Sequence, residues 1–106
     1  MAESMALTEA FYYILLSLYT PLHGYGIMQK AEAFSRGRVR LAAGTLYGAL
    51  STLQEKGWIE VLPGQEGSRK KEYQITPQGR QAVERELIRL RELVSNGEAV
   101  TGGQAV

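Results

Sequence analysis

Short hydrogen-bonding side chains share one side of a helix that the sequence predicts just before Gly57. Hydroxyl groups on such a helix can hydrogen bond to base edges in a DNA groove. Glycines among them permit close approach to a phosphate backbone. The residues of this group are Gly44, Thr45, Tyr47, Gly48, Ser51 and Thr52. Taken alone, this helix is equally well explained as an ordinary surface helix.

Basic residues follow the helix on a predicted hairpin. Residues 58–62 are rich in aromatic and β-branched side chains, Pro63-Gly64 is typical of a turn, and residues 69–75 form the second strand. Its first three residues, Arg69, Lys70 and Lys71, are placed to meet DNA phosphates. The alternative is that these cations guard a strand edge against sheet aggregation.

The net charge of +1 conceals a basic segment in the middle of the chain. From residue 36 to residue 71 there are seven basic residues and three acidic ones. Two of the basic residues, Arg38 and Arg40, lie in the connector before the helix that ends at Gly57, which we call the reading helix. There they either contact the DNA backbone or keep the connector solvated. A local basic segment suits contact with a polyanion, although an ordinary solvated surface is the alternative.

Two further helices precede this segment, and one follows the hairpin. The last helix starts at Thr76-Pro77 and carries Val83, Leu87, Leu90 and Val94 with the spacing of a coiled-coil seam. We expect this seam, with Phe11 and Tyr12 of the first helix, to form a homodimer interface. The alternative is that the last helix folds back on the first helix of its own chain.

The predicted fold class is mainly α with a two-stranded β-wing. It is a winged helix-turn-helix with a C-terminal dimerisation helix. Residues 1–76 form the DNA-binding domain, residues 77–95 the dimerisation helix, which Asn96-Gly97 ends, and residues 96–106 a disordered tail. The expected partners are double-stranded DNA and a second copy of the chain.

Catalysis, metal binding and cofactors find no support in the sequence. There is no cysteine, the single histidine is His23, and no Walker or dinucleotide motif appears. No run of about 18 apolar residues indicates a membrane span. The start of the chain does not look like a secretory signal. We therefore expect a cytoplasmic protein that is not an enzyme.

From Leu7 to about Val94 the chain resembles the PadR-like transcriptional regulators, the phenolic-acid-response repressor family. The resemblance rests on LTEAFYYILLSL, HGYGIMQK, GRVRLAAGTLYGALSTLQEKGWIE and RKKEYQITPQGR in combination. It implies a dimeric repressor that binds an inverted-repeat operator. Thr45 and Tyr47 match the family's GTLY segment, and residues 69–71 match its basic wing strand. The single terminal helix matches the small subfamily.

Two departures from the family pattern bear on affinity. Ala42-Ala43 stand where members often have Ser-Pro, which removes a helix-capping side chain. Ser51-Thr52 stand where many members have basic residues, which removes phosphate contacts. The rival interpretation is therefore a winged-helix module that binds proteins and binds DNA poorly.

Some small members of the family also bind flat aromatic or drug-like compounds between subunits, helped by a tryptophan on the last helix. Here the only tryptophan is Trp58, at the start of the hairpin, where a core role is expected. By resemblance, an effector of this type would bind near Tyr12, Tyr13 and the last helix.

Overall fold

The computed structural model describes residues 6–63 and 71–102. Its elements are four helices and two strands in the order of a winged helix-turn-helix, followed by a long helix. They are α1 (Glu9–Ser17), α2 (Gly24–Phe34), α3 (Ala43–Glu55), β1 (Ile59–Val61), β2 (Tyr73–Ile75) and α4 (Pro77–Thr101). The predicted fold class is confirmed.

The first three helices enclose one apolar core. The Thr8 hydroxyl caps α1 by accepting a hydrogen bond from the Phe11 amide at 3.1 Å. Each helix then buries the apolar side of its sequence pattern. The fully buried side chains include Ile14, Leu15 and Leu18 near α1, Ile27 from α2, and Leu46, Leu50 and Leu53 from α3.

The third helix ends at a left-handed glycine, as its sequence predicts. Gly57 has a φ of 75°, a conformation that residues with a Cβ rarely adopt. The chain turns there into β1, which pairs antiparallel with β2, with Ile59 opposite Ile75 and Val61 opposite Tyr73. Ile59, Tyr73 and Ile75 are buried, so the base of the wing belongs to the core.

Both strands are shorter than the sequence pattern predicts. The pairing continues for one more hydrogen bond, from the Leu62 amide to the Glu72 carbonyl oxygen at 2.8 Å. On the other side of β2, Leu22 and Tyr73 exchange two backbone hydrogen bonds of 3.1 and 2.8 Å. The connection between α1 and α2 therefore acts as a third, one-residue strand of the wing.

The last helix is longer than predicted. The Thr76 hydroxyl caps it by accepting a hydrogen bond from the Gly79 amide at 3.1 Å, and Pro77 follows in the first turn. The helix runs through Asn96-Gly97 and ends at Gly102, where φ is 102°. The prediction of a disordered tail from residue 96 is wrong for residues 96–101. One interior glycine costs a helix only about 1 kcal/mol, which leaves helix formation possible.

Within the part of the chain that the structure describes, no helix is both long enough and apolar enough to span a membrane.

Candidate nucleic-acid interface

The outer face of α3 is exposed and carries no acidic side chain before Glu55, the last residue of the helix. Its inner face buries Leu46, Ala49, Leu50 and Leu53 in the core. Five of the six residues predicted to read DNA are exposed on the outer face: Gly44, Thr45, Tyr47, Gly48 and Ser51. Thr52 is half-buried, and its hydroxyl donates to the Gly48 carbonyl oxygen at 3.2 Å, so it is less available to a ligand.

Tyr47 is only partly free to contact a ligand. Its side chain is about half exposed, at 51%, and the rest of it lies over the start of α2 at Gly24. Tyr47 also lies close to Tyr73 of the wing strand β2. Burial raises the pKa of the Tyr73 phenol, and the neighbouring Tyr47 phenol raises that pKa further.

The amino-terminal end of α3 lacks a side-chain cap. Ala42 occupies the N-cap position, and its carbonyl oxygen accepts the first helical hydrogen bond from Leu46 at 2.9 Å. An alanine side chain cannot accept from the free amides of the first turn. The structure therefore shows that α3 has no side-chain cap, as the Ala42-Ala43 departure predicts.

Carboxylates of the same chain hold both connector arginines. Arg38 pairs with Glu9 of α1, and this pairing lowers the pKa of Glu9 and raises that of Arg38. The Arg40 Nε donates to the Gly37 carbonyl oxygen at 3.2 Å and lies 3.7 Å from Glu32 of α2. Exposed ion pairs of this kind contribute little free energy, so a phosphate can replace the carboxylates.

Ser35 fixes the connector that carries these arginines, and the sequence reasoning missed it. Its buried hydroxyl donates to the Ala31 carbonyl oxygen at 2.9 Å and accepts from the Val39 amide at 2.8 Å. The bond joins the end of α2 to the connector. A serine after a helix is too common a pattern to have revealed this role.

The structure describes one of the three basic residues predicted on the wing. Lys71 is exposed just before β2. Arg69 and Lys70 lie outside the described residues, as does Gly64 of the predicted turn.

The residues predicted to form a dimer interface fall into two groups. Val83 is only 2% exposed, and Phe11, Tyr12 and Leu87 pack against the core of their own chain. The assignment of Val83 to an interface with a second copy is wrong, because it is already buried at this end of α4. Leu90 is half-buried, whereas Val94 is 59% exposed, so the outer half of the seam is uncovered. The first half of the seam, at Val83 and Leu87, thus packs against the same chain, as the fold-back alternative predicts.

A cavity of about 280 Å³ lies where α1 meets α4. It is lined by Leu7, Glu9, Tyr12, Tyr13, Glu86, Arg89 and Leu90. Glu86 is buried and accepts hydrogen bonds from Arg89 Nε at 3.0 Å and Nη2 at 2.5 Å. These bonds hold the pKa of Glu86 below its ordinary value, although burial acts in the opposite direction. The aromatic pair and the last helix that the resemblance implied for an effector do border one space.

Fold and surface together define a winged helix-turn-helix protein. The sequence model of the family described as "Transcriptional regulator PadR-like family" matches residues 14–85. The chain belongs to the PadR-like family of transcriptional regulators. Membership of a family of regulators agrees with the expectation that the chain is not an enzyme.

Solved structures agree with this fold. A PadR family transcription regulator from Clostridium difficile is 24% identical, with a TM-score of 0.69, over 81% of this chain and 91% of that one. A transcriptional regulator from Clostridium thermocellum is 22% identical, with a TM-score of 0.66, over 92% of each chain. PadR of Bacillus subtilis, solved in complex with operator DNA, is 23% identical, with a TM-score of 0.61, over 74% of this chain and 46% of that one.

Among curated proteins, an uncharacterised 37.1 kDa protein of transposon TN4556 from Streptomyces fradiae is 42% identical over 66 residues. The match covers 62% of this chain but only 18% of the relative. The likeness therefore concerns one domain of a much longer protein.

Proposed function

We propose that this chain is a homodimeric repressor that binds an inverted-repeat DNA operator with α3 in the major groove and the wing on the backbone. The observation that carries the proposal is the outer face of α3, which is exposed, hydroxyl-bearing and free of acid up to Glu55. Base edges are read by side chains of this kind. The operator DNA bound to the Bacillus subtilis relative supports the same class of ligand.

Backbone contacts would come from cations on either side of α3. Lys71 is exposed on the wing, and the two connector arginines form ion pairs with exposed carboxylates. Arg69 and Lys70 extend this set on the sequence alone. Release of counterions by these cations supplies affinity that does not depend on sequence, while α3 supplies the choice of site.

The outer half of α4 supports pairing of two copies. Beyond the core, its apolar side continues through Leu90, Leu93 and Val94, and the last two are more than half exposed. An apolar helix face of this kind is stabilised when a second helix covers it. Two copies joined by α4 would present two copies of α3, as an inverted repeat requires.

The proposal includes regulation by a small aromatic or drug-like effector. The cavity between α1 and α4 contains two tyrosines, a buried carboxylate and an arginine, which suits an aromatic ligand with a polar group. It borders the part of α4 that leads to the proposed dimer contact. Occupancy there would act on the relative position of the two subunits.

Selection of bound fragments from random duplex DNA tests the proposal directly. We expect enrichment of a palindromic sequence at low salt by the folded protein. If the recovered DNA fragments share no enriched sequence, the rival function is favoured, namely a winged-helix module that binds proteins. A matched control replaces Thr45 and Ser51 by alanine, which removes hydroxyls from the exposed face and should abolish enrichment without unfolding the chain.

A further inference from the structure

Two short motifs of the sequence meet in the fold. Gly24 belongs to HGYG at the start of α2, and Tyr47 belongs to GTLY in α3, 23 positions later. A Cβ added to Gly24 would overlap the Tyr47 hydroxyl and lie 3.0 Å from its Cζ atom. It would also lie 3.4 Å from Cδ2 of Leu46. Glycine is therefore the residue that lets the tyrosine ring lie on the α2 backbone.

The same ring lies near the base of the wing. Tyr73 of β2 is buried, which raises the pKa of its phenol, and the neighbouring Tyr47 phenol raises that pKa further. Tyr73 is also hydrogen bonded through its backbone to Leu22, two residues before Gly24. Tyr47 thus lies where the start of α2, the reading helix and the base of the wing come together.

We propose that Tyr47 is a positioning residue, whose ring, seated on Gly24, sets the direction of α3 relative to α2 and the wing. Its contribution to DNA binding then comes from packing rather than from a hydroxyl contact with a base. This inference rests on the proposed function, since direction matters only if α3 must enter a groove. It also revises the prediction that Tyr47 reads DNA directly.

A double-mutant cycle tests this role. The proteins are the wild type, Gly24→Ala, Tyr47→Ala, the double variant and Tyr47→Phe, each measured for affinity to the selected duplex. Contacting residues couple strongly, so Gly24→Ala should weaken binding by between about threefold and about a hundredfold in the wild type. In the Tyr47→Ala background the same change should have no effect, because no ring remains to be displaced. Tyr47→Phe keeps the ring and should bind within about twofold of the wild type.

Two results would overturn the inference. An equal loss from Gly24→Ala in both backgrounds would mean that Gly24 itself approaches DNA. A loss from Tyr47→Phe as large as that from Tyr47→Ala would mean that the hydroxyl contacts DNA. In the free protein, nuclear Overhauser contacts should join the Tyr47 ring to the α protons of residue 24. They should be present in the wild type and lost from the remaining α proton in Gly24→Ala.

Failure of the proposed function is distinguishable from failure of this inference. A wild type that selects no duplex refutes DNA reading. Thermal unfolding of the same proteins then decides the positioning role without DNA. A Gly24→Ala effect that vanishes in the Tyr47→Ala background supports it, and equal effects in the two backgrounds refute it.

Discussion

At the scale of single residues, Gly79 is, among the glycines that the structure describes, the one whose added Cβ would come closest to other atoms. A Cβ there would lie 2.7 Å from Cγ1 of Ile75 and 3.0 Å from the carbonyl carbon of Trp58, besides overlapping the Trp58 carbonyl oxygen. Backbone cannot move aside as a flexible side chain can. The first turn of α4 is consequently packed directly on the start of β1.

Gly79→Ala should therefore destabilise the protein by about 1–3 kcal/mol, the usual cost of overpacking. Gly97→Ala is the matched control, because it lies in the same helix with nothing within 4 Å of its added Cβ. The control should stabilise the helix by up to about 1 kcal/mol. Chemical denaturation measures both, and equal effects of the two changes would contradict the packing described.

Glu86 should make stability depend on acid. Its pKa is depressed by Arg89 from an ordinary value of 4.5, so its stabilising contribution is present above that value in pH. The contribution is lost as pH falls below 4.5 towards the lower folded-state pKa. The melting temperature of the wild type should decline over this range, and that of Glu86→Gln should decline less.

The residual slope in Glu86→Gln would include Glu9, whose pKa is lowered by Arg38. Glu84→Gln removes an exposed carboxylate from the same helix and should keep the wild-type slope. If Glu86→Gln and the wild type lose stability in parallel, the Glu86–Arg89 pair does not stabilise the folded state.

At the scale of elements, α3 combines a well-defined end with an uncapped beginning. A serine at position 42 would place a hydroxyl where the first-turn amides can donate to it. Ala42→Ser should stabilise the protein by about 1 kcal/mol. Ala43→Ser, one position inside the helix, cannot cap and is the control. A higher melting temperature in both variants, or in neither, would argue against a capping effect.

At the scale of the whole molecule, α4 carries the proposed pairing of two copies. Val94→Arg places a charge on the exposed part of the seam, so light scattering should detect monomers that remain folded. Leu87→Arg is the less informative change, since Leu87 also packs on the core of its own chain. Val61→Arg, at an exposed valine of β1, should leave the dimer intact. A dimer that survives Val94→Arg would place the interface elsewhere.

The salt dependence of DNA binding tests the basic surface as a whole. Replacing Arg69, Lys70 and Lys71 by alanine should weaken binding to all sequences and flatten the salt slope by about one unit per lost phosphate contact. Arg85→Ala, an exposed cation on α4, should leave the slope unchanged. A slope that is unaffected by the triple change would exclude phosphate contact by these three residues.

Much of this architecture is predictable from local signals. The hydroxyl of Thr8, the left-handed Gly57 and the Thr76-Pro77 start act within a few residues of themselves, so sequence alone locates them. The partners of Arg38 and Val83 are different in kind. Glu9 lies 29 positions from Arg38, and the spacing of Val83 is the same whether it is buried by its own chain or by another. Only the tertiary fold distinguishes those cases.

The joint between β1 and α4 gives the last helix a fixed rotational phase. The Thr76 hydroxyl donates to the Gly57 carbonyl oxygen at 2.6 Å and its amide to the Trp58 carbonyl oxygen at 2.9 Å, so α4 cannot turn about its axis independently of the wing. Each residue inserted between the joint and Leu90 would rotate the outer seam by about 100° and advance it by about 1.5 Å. An insertion of seven residues would restore the rotational phase almost completely and lengthen α4 by about 10 Å. In the proposed dimer, the preferred separation of operator half-sites would thus depend on the number of residues in this one helix.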